Sequence, residues 1–120
     1  TFWKWRYYMA ERLAEHLDFE RYGVKGVYLI GSTNHGTAGP GSDIDLLIHV
    51  QGSEQQRLEL EQWLKGWSQS LAEANYLKTG YRSEGLLDVH YITDQDIKEK
   101  TSFAIKIGAI TDPAYPLKTI

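Results

Sequence analysis

Apolar positions along this chain follow two periods. From Phe2 to Leu17 they recur at Phe2, Trp5, Met9, Leu13 and Leu17, with Ala10 and Ala14 beside them, which predicts a first helix packed by one face. Trp3, Tyr7 and Tyr8 fall partly outside that stripe and are expected to be half-covered, with base stacking as the weaker alternative. Asp18 to Gly26 reads as a connector ended by Gly23 and Gly26. Val27 to Ile30 is an apolar run too short for a helix and bounded by glycines, which suits a buried strand. A glycine-rich loop, Gly31 to Ser42, follows, and a second buried strand runs from Asp43 through Leu46, Leu47, Ile48 and Val50. The loop is expected to hold a short helical turn.

The second half returns to the helical period. Ser53 and Gln56 form a capping-box pattern ahead of Leu60, Trp63, Leu64, Trp67 and Leu71, predicting a long second helix whose apolar stripe is core. Lys78 to Gly85 is turn-rich, and Leu86 to Ile92 reads as a third apolar strand. Thr93 with Asp96 resembles another helix cap, starting a short helix through Lys100. Phe103, Ile105 and Ile107 alternate as a strand would, with a continued helix as the alternative. Asp112-Pro113 and Pro116 mark an irregular finish in which Ala114 to Leu117 suits an edge strand.

The strand pattern singles out acids. Side chains alternate faces, so Asp43 and Asp45 share one side while Ile44, Leu46 and Ile48 take the other. Two like charges this close raise each other's pKa unless a cation lies between them, and ionised carboxylates are oxygen ligands suited to Mg²⁺. Gly31 lets backbone approach a ligand closely, and Ser32 offers a hydroxyl and an N–H to a phosphate. The plain alternative is a surface loop with two solvated acids at a strand start. On the third strand Asp88 shares a face with His90; it is either a third site carboxylate or the partner of Arg82 or a lysine. His49 and His90 are read as packed or hydrogen-bonded histidines, with tuning of Asp88 or an acceptor as the alternative for His90. His35 is read as a solvated loop histidine rather than a phosphate contact.

Gly31-Ser32, ten intervening residues and Asp43-Ile44-Asp45, with Gly36, Ala38, Pro40 and Ser42 between them, resemble the signature of the DNA polymerase beta-like nucleotidyltransferase superfamily, in particular its minimal nucleotidyltransferase branch. Asp-x-Asp alone also occurs in glycosyltransferases, phosphatases and calcium loops; joined to Gly-Ser at this distance it is more specific. The resemblance implies an α/β (α+β) nucleotidyltransferase fold, a small mixed β-sheet with helices packed mainly on one face. It implies Asp43, Asp45 and Asp88 as catalytic, metal-binding carboxylates and Gly31, Ser32 and Ser42 as nucleotide-binding residues. It further implies ATP or another nucleoside triphosphate as substrate and Mg²⁺ as cofactor, with Mn²⁺ as second choice. The chain departs from the branch in one respect: Thr33, His35 and Gly39 stand where relatives often carry loop arginines.

Composition narrows the setting. The 120 residues, 42% hydrophobic, suit one domain spanning 1–120, and excision from a longer chain is left open by a start at Thr1 without methionine. There is no cysteine, hence no thiol nucleophile or thiolate metal site; a cytoplasmic setting is expected, since no signal-peptide layout or run near ~18 apolar residues occurs. A formal charge of −3 provides no basic stripe for extensive duplex nucleic acid. With little chain left for an acceptor region, the acceptor side is expected from a helical partner protein, a fused domain or a homo-oligomer. Two further readings stand beside an active enzyme. One is a catalytically weak nucleotide-binding regulatory or antitoxin-like module of the same fold; the other is a nucleotide-sugar glycosyltransferase, which leaves Gly31-Ser32 unexplained.

Overall fold

The computed structural model describes residues 2–120. Helix α1, Phe2–His16, buries Ala10, Leu13 and Ala14 as the helical period requires, while Phe2 at its start is exposed. The stretch expected as a connector is more ordered than that. Asp18 accepts a hydrogen bond from the Arg21 N–H and so caps a one-turn helix, α2, Phe19–Tyr22, which Gly23 ends in the left-handed conformation. Strand β1 therefore begins earlier than expected, spanning Val24–Ile30. A short helix, α3, Gly31–His35, occupies the glycine-rich loop, and strand β2 covers Ile44–Val50, leaving Asp43 one residue ahead of it.

Helix α4, Glu54–Thr79, starts from a complete capping box between Ser53 and Gln56 and ends at Gly80. Strand β3, Leu87–Ile92, follows, and then helix α5, Asp94–Glu99, with a second capping box between Thr93 and Asp96. The alternation at Phe103, Ile105 and Ile107 does not make a strand. Ser102–Lys106 forms a short 3-10 helix in which Ala104 is buried and Ile105 stands in solvent. These residues pack on the sheet's face instead, Ala104 against Ile30, Leu47 and Ile92, while strand β4, Tyr115–Thr119, takes the place beside β1.

The sheet order is β3-β2-β1-β4. β1 pairs antiparallel with both β2 and β4, whereas β2 and β3 run parallel, a geometry that needs a crossover and receives α4. The sheet is thus mixed. Its first face, carrying Val27, Leu29, Ile44, Leu46 and Ile48, packs against α1 and α4 through Leu13, Leu60, Leu64 and Leu71. The second face holds a smaller cluster, Ile30, Leu47 and Ile92, covered by Ala104, Ala114, Phe103 and Ile107. The long helices therefore lie on one face, and the other is left only partly roofed. No helix among the described residues is long and apolar enough to cross a membrane.

One buried charge ties these parts together. Arg6 has no solvent exposure. Its Nε donates to the Ser42 carbonyl at 3.0 Å, Nη2 to the Pro40 carbonyl at 3.1 Å and to Asn75 Oδ1 at 2.8 Å, and Nη1 to the Phe2 carbonyl at 2.8 Å. Asn75, equally buried on α4, donates from Nδ2 to the same Pro40 carbonyl at 2.9 Å. The loop ahead of β2 is thereby bolted to both long helices. Replacement of Arg6 by Met would leave the Pro40 and Ser42 carbonyls and Asn75 Oδ1 short of donors in the interior. We expect Arg6→Met to cost about 2–4 kcal/mol in urea unfolding, with faster amide exchange in residues 37–43; a loss below about 0.5 kcal/mol would show that the loop holds itself.

Candidate active site

Parallel pairing of β2 with β3 sets Asp45 directly across from Asp88. Both point to the partly roofed face, as does His90 two residues further along β3. A carboxylate oxygen from each acid and a ring nitrogen of His90 all lie within 4.8 Å of one another. His90 Nε2 faces Asp88 Oδ2 at 3.4 Å, and its ring lies against Phe103 of the 3-10 helix with centroids 4.3 Å apart. Asp43 stands outside that tight group, exposed at the mouth of β2, but its charge is felt there. It raises the pKa of Asp45 and has its own pKa raised, chiefly by burial and then by Asp88, against an opposing pull from Arg6.

Asp45 is the most perturbed of the three. Burial, a hydrogen bond to Asp88 and the negative charges of Asp88 and Asp43 push its carboxyl up to about 6, and only His90 acts the other way. An acid raised this way is a carboxylate short of positive charge, and a cation is what the donor set fits. Arg82, the alternative partner for Asp88, instead lies over the Tyr76 ring at 3.9 Å.

The glycine turn meets the acids directly. Ile30 is the register partner of Asp45, so the chain leaves β1 beside that carboxylate. Gly31 has φ +77°, and a Cβ on it would fall 2.1 Å from Asp45 Oδ2. Only glycine fits there, for backbone conformation and for space. Ser32 is the second residue of α3 and is half-buried; its carbonyl accepts from Thr37 N–H at 2.9 Å. Ser42 is used within the loop, Oγ accepting from Gly39 N–H at 2.8 Å, which leaves its hydroxyl proton free to donate.

The remaining histidines have partners elsewhere. His49 points to the same face as Asp45, but its Nε2 meets Asp94 Oδ1 at 2.6 Å, and Lys25 joins the same carboxylate. His35 pairs with Asp112, which Lys106 also engages, and Asn34 donates to the Pro113 carbonyl at 3.2 Å. The C-terminal end of α3 is thereby fastened to the segment ahead of β4. His35 is exposed, as expected of it, and pairs there with Asp112. Arg6, which sequence reading passed over, has a signal there: it falls at helical spacing with Ala10 and Leu13, a charge on a core stripe.

The model of the family described as "Nucleotidyltransferase domain" matches residues 10–107. Among solved structures, the chain is similar to a Sulfolobus solfataricus protein provisionally named a nucleotidyltransferase and determined at 1.40 Å resolution. Identity is 17% over 83% of this chain and 77% of that one, with a TM-score of 0.44, a level at which the likeness carries no functional weight. No curated protein matches the chain.

Two outcomes follow from the geometry. Gly31→Ala should destabilise the protein by about 1–2 kcal/mol from backbone strain, and by more from displacement of Asp45. In an Asp45→Ala background the excess should vanish, so additive losses in denaturant unfolding would disprove the contact. The second concerns pH. Asp45 titrates near 3.8 when unfolded and near 6 when folded, so the folded state binds more protons between those values. Stability of the metal-free protein from this group is full below about 4, declines as pH rises to about 6, and is level above. Asp45→Asn should flatten that decline in thermal melts and raise stability at pH 8; an unchanged pH profile would refute it.

Proposed function

The chain belongs to the nucleotidyltransferase domain family, and from that premise we propose that it transfers a nucleoside monophosphate from a nucleoside triphosphate to an acceptor hydroxyl, releasing pyrophosphate. The observation that carries this reading is the junction of the Gly31 turn with Asp45, itself opposite Asp88. A phosphate-approach element and a carboxylate pair meet at one point. Asp43, Asp45 and Asp88 are the residues that would hold divalent cations, Mg²⁺ or Mn²⁺. Such ions neutralise triphosphate charge and make an acceptor hydroxyl easier to deprotonate.

The chain's own groups take the other tasks. Backbone at Gly31 allows the β- and γ-phosphates to come close, and the hydroxyls of Ser32 and Ser42 donate to phosphate oxygens. Asp88, on the more open strand, receives the acceptor's proton at a carboxylate oxygen. The acceptor oxygen then attacks the α-phosphorus in line, and the bond to the pyrophosphate oxygen breaks. The acceptor binds on the unroofed side of the sheet, where a helical partner protein, a fused domain or a second copy of the chain would complete the wall.

Titration calorimetry with ATP, GTP, CTP and UTP, with and without Mg²⁺, tests the binding half of this reading. We expect metal-dependent binding of at least one triphosphate and its loss, by tenfold or more, in Asp43→Ala/Asp45→Ala, a magnitude of the order seen for removal of charged ligands. Absence of binding to all four would refute the nucleotide site. One observation favours a second reading, a nucleotide-binding regulatory or antitoxin-like module. The loop carries no arginine, and the nearby Arg6 is already spent on backbone carbonyls. Tight triphosphate binding with no pyrophosphate released against any hydroxyl acceptor would select that reading.

A further inference from the structure

We propose that His90 supplies a nitrogen ligand to the cation held between Asp45 and Asp88, so that the site takes Mn²⁺ or another first-row transition ion in preference to Mg²⁺. The inference rests on the metal-dependent reading of the site and departs from its expected all-oxygen donor set.

Three features of the structure carry it. The donor atoms closest to one another are Asp45, Asp88 and His90, and Asp43 is not among them. Ions bound at ~2.1 Å hold neighbouring ligands up to ~4.2 Å apart, so a separation within 4.8 Å needs only slight side-chain closure. Next, the imidazole is aimed. Parity along β3 puts it on the same face as Asp88, and contact with Phe103 limits its rotation. Its Nε2 stops 3.4 Å from Asp88 Oδ2, longer than a good hydrogen bond, so the two groups approach without consuming each other.

Finally, His90 is unlike the chain's other histidines in this region. His49 and His35 are each committed to an aspartate outside the acid cluster, whereas the carboxylate facing His90 belongs to the cluster itself. The His90 and Asp88 side chains are 30% and 52% exposed, open to an ion arriving from solvent. One imidazole with two carboxylates is a donor set that suits Mn²⁺, Co²⁺ or Zn²⁺ better than Mg²⁺, which prefers oxygen alone and keeps its waters.

Pulsed electron paramagnetic resonance on the full chain loaded with Mn²⁺, without nucleotide, tests this. The expected result is ¹⁴N modulation from one directly bound imidazole, converted to the ¹⁵N pattern in protein grown on ¹⁵N-histidine and lost in His90→Gln. Calorimetry on the same variant should show Mn²⁺ affinity reduced about tenfold or more, with Mg²⁺ affinity within about threefold of the parent. Bound Mn²⁺ without nitrogen coupling in the parent protein would overturn His90 as a ligand and leave the nucleotidyl-transfer reading intact. Failure to retain Mn²⁺ at all, even with triphosphate present, would overturn both.

Discussion

Two carboxylates cannot face each other across a β-ladder without a reason. Asp45 and Asp88 are register partners on adjacent parallel strands, and Asp43 adds a third negative charge at the strand mouth. The repulsion among them is the constraint to which the neighbouring features answer. Burial magnifies it, and His90 is the group whose charge relieves Asp45. An apolar pair at this register would be the simpler solution for stability, so the acids mark a place where folding yields to function.

Holding such a pair in place falls to residues with no charge to contribute. Gly31 gives Asp45 room by having no side chain, and the left-handed turn that this requires launches α3. On the far side of the loop, Arg6 and Asn75 fix the Pro40 and Ser42 carbonyls and so fix where β2 begins. The guanidinium works here as a backbone clamp, five N–H donors spent largely on carbonyls, rather than as a phosphate ligand. The roof over the site is also indirect. The 3-10 helix packs on this face through Ala104 and meets the acid cluster through Phe103 on His90.

Much of this was legible in the chain, because the informative residues report through period and spacing. Both capping boxes, the apolar strands and the shared face of Asp88 and His90 follow from local rules that tertiary contacts did not override. What escaped was set by contacts distant in sequence. Phe103, Ile105 and Ile107 alternate perfectly, yet the segment packs on the sheet's second face through Ala104, Phe103 and Ile107, and Tyr115–Thr119 takes the place beside β1. Likewise Val24 joins β1 because Val50 meets it across the sheet, which no local signal announces. Arg6 falls on the core stripe of its helix, but its acceptors are loop carbonyls some thirty-five positions away, which no local pattern shows.

The position of β3 at the sheet's edge gives the site a mechanical character. That strand carries Asp88 and His90, pairs only with β2, and is largely half-exposed, so half of its backbone hydrogen bonding has no partner strand. Electrostatic repulsion from Asp45 acts at the seam between the two strands. An ion bridging Asp45 and Asp88 would therefore act as a rivet across that seam, constraining a strand that is otherwise paired on one side alone. Order at this edge, and with it the footing of the 3-10 helix, would then track the supply of metal.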